Sequence, residues 1–104
     1  MVAIDNYARK EGTRRAGTPE ERSWYRWRLF VAEPDSVLDT IESVEYLLHP
    51  TFPSPYQVTR NRDDRFALEG SGWGSFTVNV TVNYRDGDRE EKEYFLDLGK
   101  PWPE

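Results

Sequence analysis

The stretch S-F-T-V-N-V-T-V-N-Y, Ser75 to Tyr84, decides the fold. Phe76, Val78, Val80, Val82 and Tyr84 alternate strictly with Ser75, Thr77, Asn79, Thr81 and Asn83. A period of two puts every apolar side chain on one face, so the segment reads as a half-buried antiparallel strand. The Arg85-Asp86-Gly87-Asp88 stretch that follows carries an Asp-Gly pair suited to a tight hairpin, and Tyr94, Leu96 and Leu98 alternate on the predicted return strand. Working outward, Tyr25, Trp27, Leu29 and Val31 share one face of an earlier strand, and Val44, Tyr46 and Leu48 one face of the next. Shorter runs at Tyr56 to Val58 and Phe66 to Leu68 bring the count to about six. Only Val37 to Val44 hints at a helical turn. Strands spaced about ten residues apart, with Gly and Pro between them, predict a single all-β domain, an antiparallel β-sandwich.

The flanks read differently. Val2 and Ile4 alternate, so the first eight residues predict a short edge strand. Arg9 to Arg22 is charged, aperiodic and interrupted by Gly12, Gly17 and Pro19, which predicts a mobile connection. The expected organisation is residues 1–23 as edge strand plus connection, 24–98 as the sandwich, and 99–104, with Pro101-Trp102-Pro103, as tail or linker.

Composition narrows the chemistry. The 104 residues include 14 basic and 19 acidic ones, for a net charge of −5; only 37% are hydrophobic but 14% are aromatic, so a few large rings must build the core. There is no cysteine, and His49 is the only histidine. Thiolate chemistry, disulfides and triad catalysis have little to work with, and no metal site or cofactor is expected. No apolar run reaches the roughly 18 residues of a membrane span, so no membrane insertion by this chain is expected, and the default compartment is cytoplasmic, or nuclear in a eukaryote. The acidic balance disfavours nucleic acid and favours a basic partner.

Two loops carry the candidate site. In His49-Pro50-Thr51-Phe52-Pro53 the two prolines stiffen a segment that sets a hydroxyl between an imidazole and a ring. In Gly70-Ser71-Gly72-Trp73-Gly74 the glycines free the backbone to approach a ligand and leave the indole without bulky neighbours. If the loops meet at one end of the sandwich, Phe52 and Trp73 face each other across a slot of about 7 Å, wide enough for one flat group.

These residues resemble the signature loops of the YEATS domain, a family of immunoglobulin-like sandwiches that read acylated lysine. L-H-P-T-F-P at Leu48 to Pro53 and G-W-G-S-F at Gly72 to Phe76 carry the likeness, supported by V-x-Y-x-L-H at Val44 to His49 and W-R-L-F-V at Trp27 to Val31. The form is most similar to the prokaryotic branch, whose members are often coupled to membrane or signalling-effector domains. The resemblance implies an immunoglobulin-like fold and a ligand-binding set of His49, Thr51, Phe52, Gly72, Trp73 and Gly74. Phe52 and Trp73 would wall the acyl-amide, the Thr51 hydroxyl would bond it, His49 would orient that threonine, and the Trp73 backbone N–H, freed by Gly72 and Gly74, would donate to the acyl carbonyl. Two departures stand out. The charged Asn61 to Arg65 replaces a proline pair common in nuclear members, predicting a longer or looser loop, and Tyr94 and Phe95 stand where a histidine is common.

The expected function is a non-enzymatic reader of acetyl- or crotonyl-lysine in a protein tail. The alternative is a protein–protein interaction, sensor or scaffold domain of a larger prokaryotic signalling or effector protein, and a third reading stacks a sugar on Trp73, Trp24 or Trp102. Plainer readings compete residue by residue. Phe52 could plug the core; the glycine run lies between strands and is no phosphate loop; Asp86-Gly87-Asp88 is a turn and no calcium loop; Glu90, Glu91 and Glu93 form a solvated edge.

Overall fold

The computed structural model describes residues 2–15, 21–72 and 74–103, so Trp73, and Gly17 and Pro19 of the charged connection, lie outside the described residues. Among the described residues seven strands follow in order: β1 (Ile4–Arg15), β2 (Glu21–Val31), β3 (Ile41–Leu47), β4 (Tyr56–Thr59), β5 (Leu68–Gly72), β6 (Thr77–Tyr84) and β7 (Arg89–Phe95). A one-turn helix, α1 (Asp35–Leu38), precedes β3, and a 3-10 turn spans Arg62–Asp64. β1, β2 and β5 form one antiparallel sheet in that order; β4, β3, β6 and β7 form the other. This is the antiparallel β-sandwich that the alternating pattern predicts, in the immunoglobulin-like form that the resemblance implies.

The alternation of β6 explains the core. Val78, Val80 and Val82 are buried and meet Trp27, Leu29 and Val31 from the opposite sheet, with Ile41, Val44 and Tyr46 of β3 beside them. Gly87 turns the β6–β7 hairpin at φ 95°, a left-handed conformation that glycine adopts without a Cβ penalty. The sheets are also joined by polar contacts that hydropathy does not show. Asn6 of β1 is wholly buried; its amide donates to the Asp97 carbonyl at 2.8 Å, and its carbonyl accepts from the Asp97 N–H at 3.1 Å and from the Tyr94 hydroxyl. A buried amide with every bonding group engaged fixes register as well as contributing stability.

Several expectations are corrected. The N-terminal strand is not confined to the first eight residues: it runs to Arg15 and pairs throughout with β2, which begins at Glu21. Arg9, Lys10 and Glu11 are all exposed, and without a buried face nothing imposes a period of two on a strand. Residues 70–72, read as loop, are the end of β5. Gly70 is there for packing, since a Cβ on it would lie 2.6 Å from the buried Trp27 ring. Phe66, read as strand, follows Arg65 in left-handed backbone, with φ of 55° and 63° respectively. This kink delivers the Phe66 ring to the core, and its carbonyl accepts from the buried Tyr46 hydroxyl at 2.7 Å.

The Asn61 to Arg65 segment is tight: the Asn61 side chain caps the 3-10 turn, and Arg62 bonds Asp39 at 2.7 Å. Glu90 is no solvated edge, because β7 turns it inward, where it accepts from the Val2 N–H at 3.3 Å and the Tyr84 hydroxyl at 2.8 Å. Lys100 and Pro101, expected in a free tail, lie along β1, with the Ala8 N–H donating to the Lys100 carbonyl at 2.8 Å.

Candidate functional site

Pro50 occupies the second position of a turn closed by the Phe52 N–H on the His49 carbonyl at 3.0 Å, the place where a fixed φ near −65° suits the backbone. The Leu48 N–H reaches the Pro55 carbonyl at 2.7 Å and shuts the loop behind it. Inside this frame the Thr51 N–H donates to His49 Nδ1 at 3.3 Å, and the Thr51 hydroxyl lies 2.9 Å from the same nitrogen. A nitrogen that accepts from a backbone N–H carries no proton, so the hydroxyl donates to it as well. The Thr51 oxygen is left with lone pairs, ready to accept from a guest.

The second side of the site comes from the chain crossing between sheets, out of β5 and into β6. The end of β3 pairs with the start of β6, Leu47 opposite Asn79, which brings the residues before β6 beside the His49 loop. Phe76, the outermost inward-facing residue there, lies 5.2 Å from Phe52 and 6.5 Å from His49, centroid to centroid. Both phenyl rings meet the buried Trp27 indole edge-on, at 6.1 Å for Phe52 and 6.0 Å for Phe76. Phe52 is half-buried: one side packs on the core and the other lines a cleft.

That cleft measures about 440 Å³. His49, Thr51, Phe52, Gly72 and Gly74 all border it; Trp73, between the two glycines, lies outside the described residues. Among the described residues a Cβ at Gly72 or Gly74 would meet nothing within 4 Å, so none of these residues requires glycine there for packing. The structure adds Trp24, Pro53, Ser71, Ser75 and Phe76 to the lining. Trp24, opposite Gly12 in the β1–β2 register, lies off the Tyr25 to Val31 face of its strand, so the alternation does not point to it. Among the described lining residues none is a carboxylate or a cation. Aromatic rings below, hydroxyls at the rim and no formal charge suit a flat, neutral guest with hydrogen-bonding edges. Among the described residues no three potential metal ligands gather, and no helix is long and apolar enough to cross a membrane.

A seven-stranded sandwich with an uncharged, ring-floored cleft at its loop end defines a small binding module. Comparison with known proteins identifies which one: the family model of the prokaryotic YEATS domain matches residues 25–97, and the chain belongs to that family. The Protein AF-9 homolog of Eremothecium gossypii is 30% identical over 92 residues, covering 86% of this chain and 43% of that protein. Its counterpart in Saccharomyces cerevisiae is 28% identical, with 86% and 40% covered. The chain thus spans about two-fifths of these curated relatives. Among solved structures, the Yaf9 YEATS domain recognising an H3K122suc peptide is similar at a TM-score of 0.71 and 25% identity, over 95% of this chain and 76% of that one. The Yaf9 YEATS domain bound to H3K27ac is similar at 0.70 and 25%, over 98% and 76%.

Proposed function

We propose that this domain reads acylated lysine in a protein tail, seating the acyl-amide in the cleft between Phe52 and Trp73. The observation that carries the reading is the Thr51 hydroxyl, exposed beside a ring-lined cleft and 2.9 Å from His49 Nδ1. An amide can leave water only if its N–H and C=O both find partners, each otherwise costing about 1–3 kcal/mol. Thr51 accepts from the N–H, and the backbone N–H of Trp73 donates to the carbonyl. Unmodified lysine would bring a hydrated ammonium among rings and hydroxyls with no carboxylate to receive it, so acylation acts as the switch. The chain's net charge of −5 favours a basic tail. The role is binding rather than catalysis, and the acylated histone peptides held by the Yaf9 domains support it.

The test is a titration of tryptophan fluorescence with acetyl-lysine, crotonyl-lysine and unmodified peptides. Saturation with the acylated peptides alone, lost in Phe52→Ala and in Trp73→Ala, supports the reading. No response to either acylated peptide at millimolar concentration refutes it and leaves the scaffold alternative.

A further inference from the structure

A second cleft, of about 360 Å³, opens on the outer face of the three-stranded sheet. Tyr7, Phe30 and Trp102 wall it, and Arg28 and Arg65 stand at its edge. Phe30 breaks the rule of its strand, pointing away from Trp27, Leu29 and Val31, yet it is only 7% exposed. The Tyr7 ring covers it at 4.7 Å, and Trp102, brought alongside β1 by the residue 100–101 bridge, meets Tyr7 at 6.3 Å. The C-terminal segment thus completes an aromatic wall that the sheet alone does not make.

The charge on this face runs against that of the chain. Arg9 and Arg26 sit directly opposite each other in the β1–β2 register, and Arg28 follows on the same face. Like charges in that position repel. Glu69 answers Arg26 at 2.5 Å and Arg28 at 3.6 Å, and Arg9 stacks over the Trp102 ring at 5.1 Å. Arg65, held in left-handed backbone by the Val31 N–H on its carbonyl at 2.9 Å, spends one guanidinium N–H on the Glu33 carbonyl at 2.7 Å. Asp64 also borders the cleft, but its carboxylate is engaged by the Ala67 N–H at 3.1 Å.

We propose that this cleft binds an anion carried on a flat aromatic ring, an aryl carboxylate or a nucleotide-type phosphate. The ring lies against Trp102 and Tyr7, and the anion pairs with Arg28 and Arg65, whose planar forks match carboxylate and phosphate oxygens. Three rings could also enclose a methylated ammonium. The surrounding guanidiniums repel one, and charge decides between the two guests.

The experiment is calorimetric titration of the full chain with AMP and with 4-hydroxybenzoate, against adenosine, inorganic phosphate and trimethyllysine. We expect saturable binding of at least one ring-bearing anion, with the neutral ring and the free phosphate weaker by about tenfold or more. AMP alone binding assigns the phosphate source; hydroxybenzoate alone assigns the carboxylate. Arg28→Gln with Arg65→Gln should weaken binding by about tenfold or more, and Arg28→Gln alone measurably if the double variant does not fold. Phe52→Ala should leave this binding unchanged, so it stands or falls separately from acyl-lysine reading. No saturable binding of either anion at millimolar concentration, equal affinity in the folded arginine variants, or preference for trimethyllysine would overturn the proposal.

Discussion

Gly70 and Gly72 stand two residues apart on one strand and answer to different physics. At Gly70 the nearest neighbour is a buried indole wedged between phenyl rings, with no freedom to give. Gly70→Ala should destabilise the domain by about 1–3 kcal/mol, because overpacking against a fixed ring exceeds the several tenths gained by stiffening the unfolded chain. Gly72→Ala meets open space and should fall within about 0.5 kcal/mol of wild type. Paired urea melts of the two variants read the contrast, and equal midpoints would contradict it. At Thr51 the hydroxyl is exposed, so the proposed reading gives it a part in binding the guest and none in folding. Thr51→Val should leave the thermal midpoint unchanged and weaken acyl-peptide binding by about tenfold or more, since the guest amide N–H would then be buried without an acceptor.

At the scale of elements, β1 is held by two devices absent from any hydropathy pattern. Its inward amide, Asn6, bonds Tyr94 of β7 and Asp97 just beyond that strand. Its outward edge takes the Lys100–Pro101 segment, with the Lys100 ammonium on Asp5. Asn6→Ala would remove the bonds to the Tyr94 hydroxyl and to both backbone groups of Asp97 at a part-buried corner, for an expected loss of about 1–3 kcal/mol. The urea midpoint should fall with the slope unchanged, because the surface exposed on unfolding stays the same. The 48–55 loop shows the opposite case: its turn is closed by local bonds around two prolines, so its shape follows from its own residues.

For the whole molecule, stability should stand on a plateau bounded by two sets of titrations. Burial pushes the Asp5 and Glu90 carboxyls up, but hydrogen bonds and cations outweigh it: Lys100 and the Asn6 N–H for Asp5, the Tyr84 hydroxyl, the Val2 N–H and Lys92 for Glu90. Asn83 and Tyr56 hold Glu45 down by hydrogen bonding. All three are more acidic folded than unfolded, so the stability they contribute is complete above the ordinary carboxylate range and is lost as pH falls through their lowered values. Tyr84 and Tyr94 are pushed up to about 12, first by burial and then by neighbouring carboxylates. Their contribution is present below the ordinary phenol value near 10 and is lost as pH rises from there towards 12. Chemical denaturation from pH 2 to 12 should trace a flat top with both shoulders; a decline starting near neutrality would contradict it.

What could be read from the chain alone follows from local rules. The alternation of Phe76 to Tyr84 and of Trp27 to Val31 marks a strand because one face is buried, and the Asp86-Gly87 turn, the two prolines around Thr51 and the motif likeness are likewise written residue by residue. The rest depends on partners distant in sequence. A stretch with both faces wet, such as Arg9 to Glu11, has no period to read; a glycine fitted to an indole 43 positions away looks like a glycine freeing a loop. Trp24 lines the first cleft although it lies off the apolar face of its strand, and Trp102 left the expected tail for a wall of the second cleft. Sequence determined which half-buried segments become sheet and which loop is stiff, because those choices are made by neighbouring residues. Only the tertiary structure decided which side chains share a cavity, because that is set by the register of strands whose pairing no local pattern encodes.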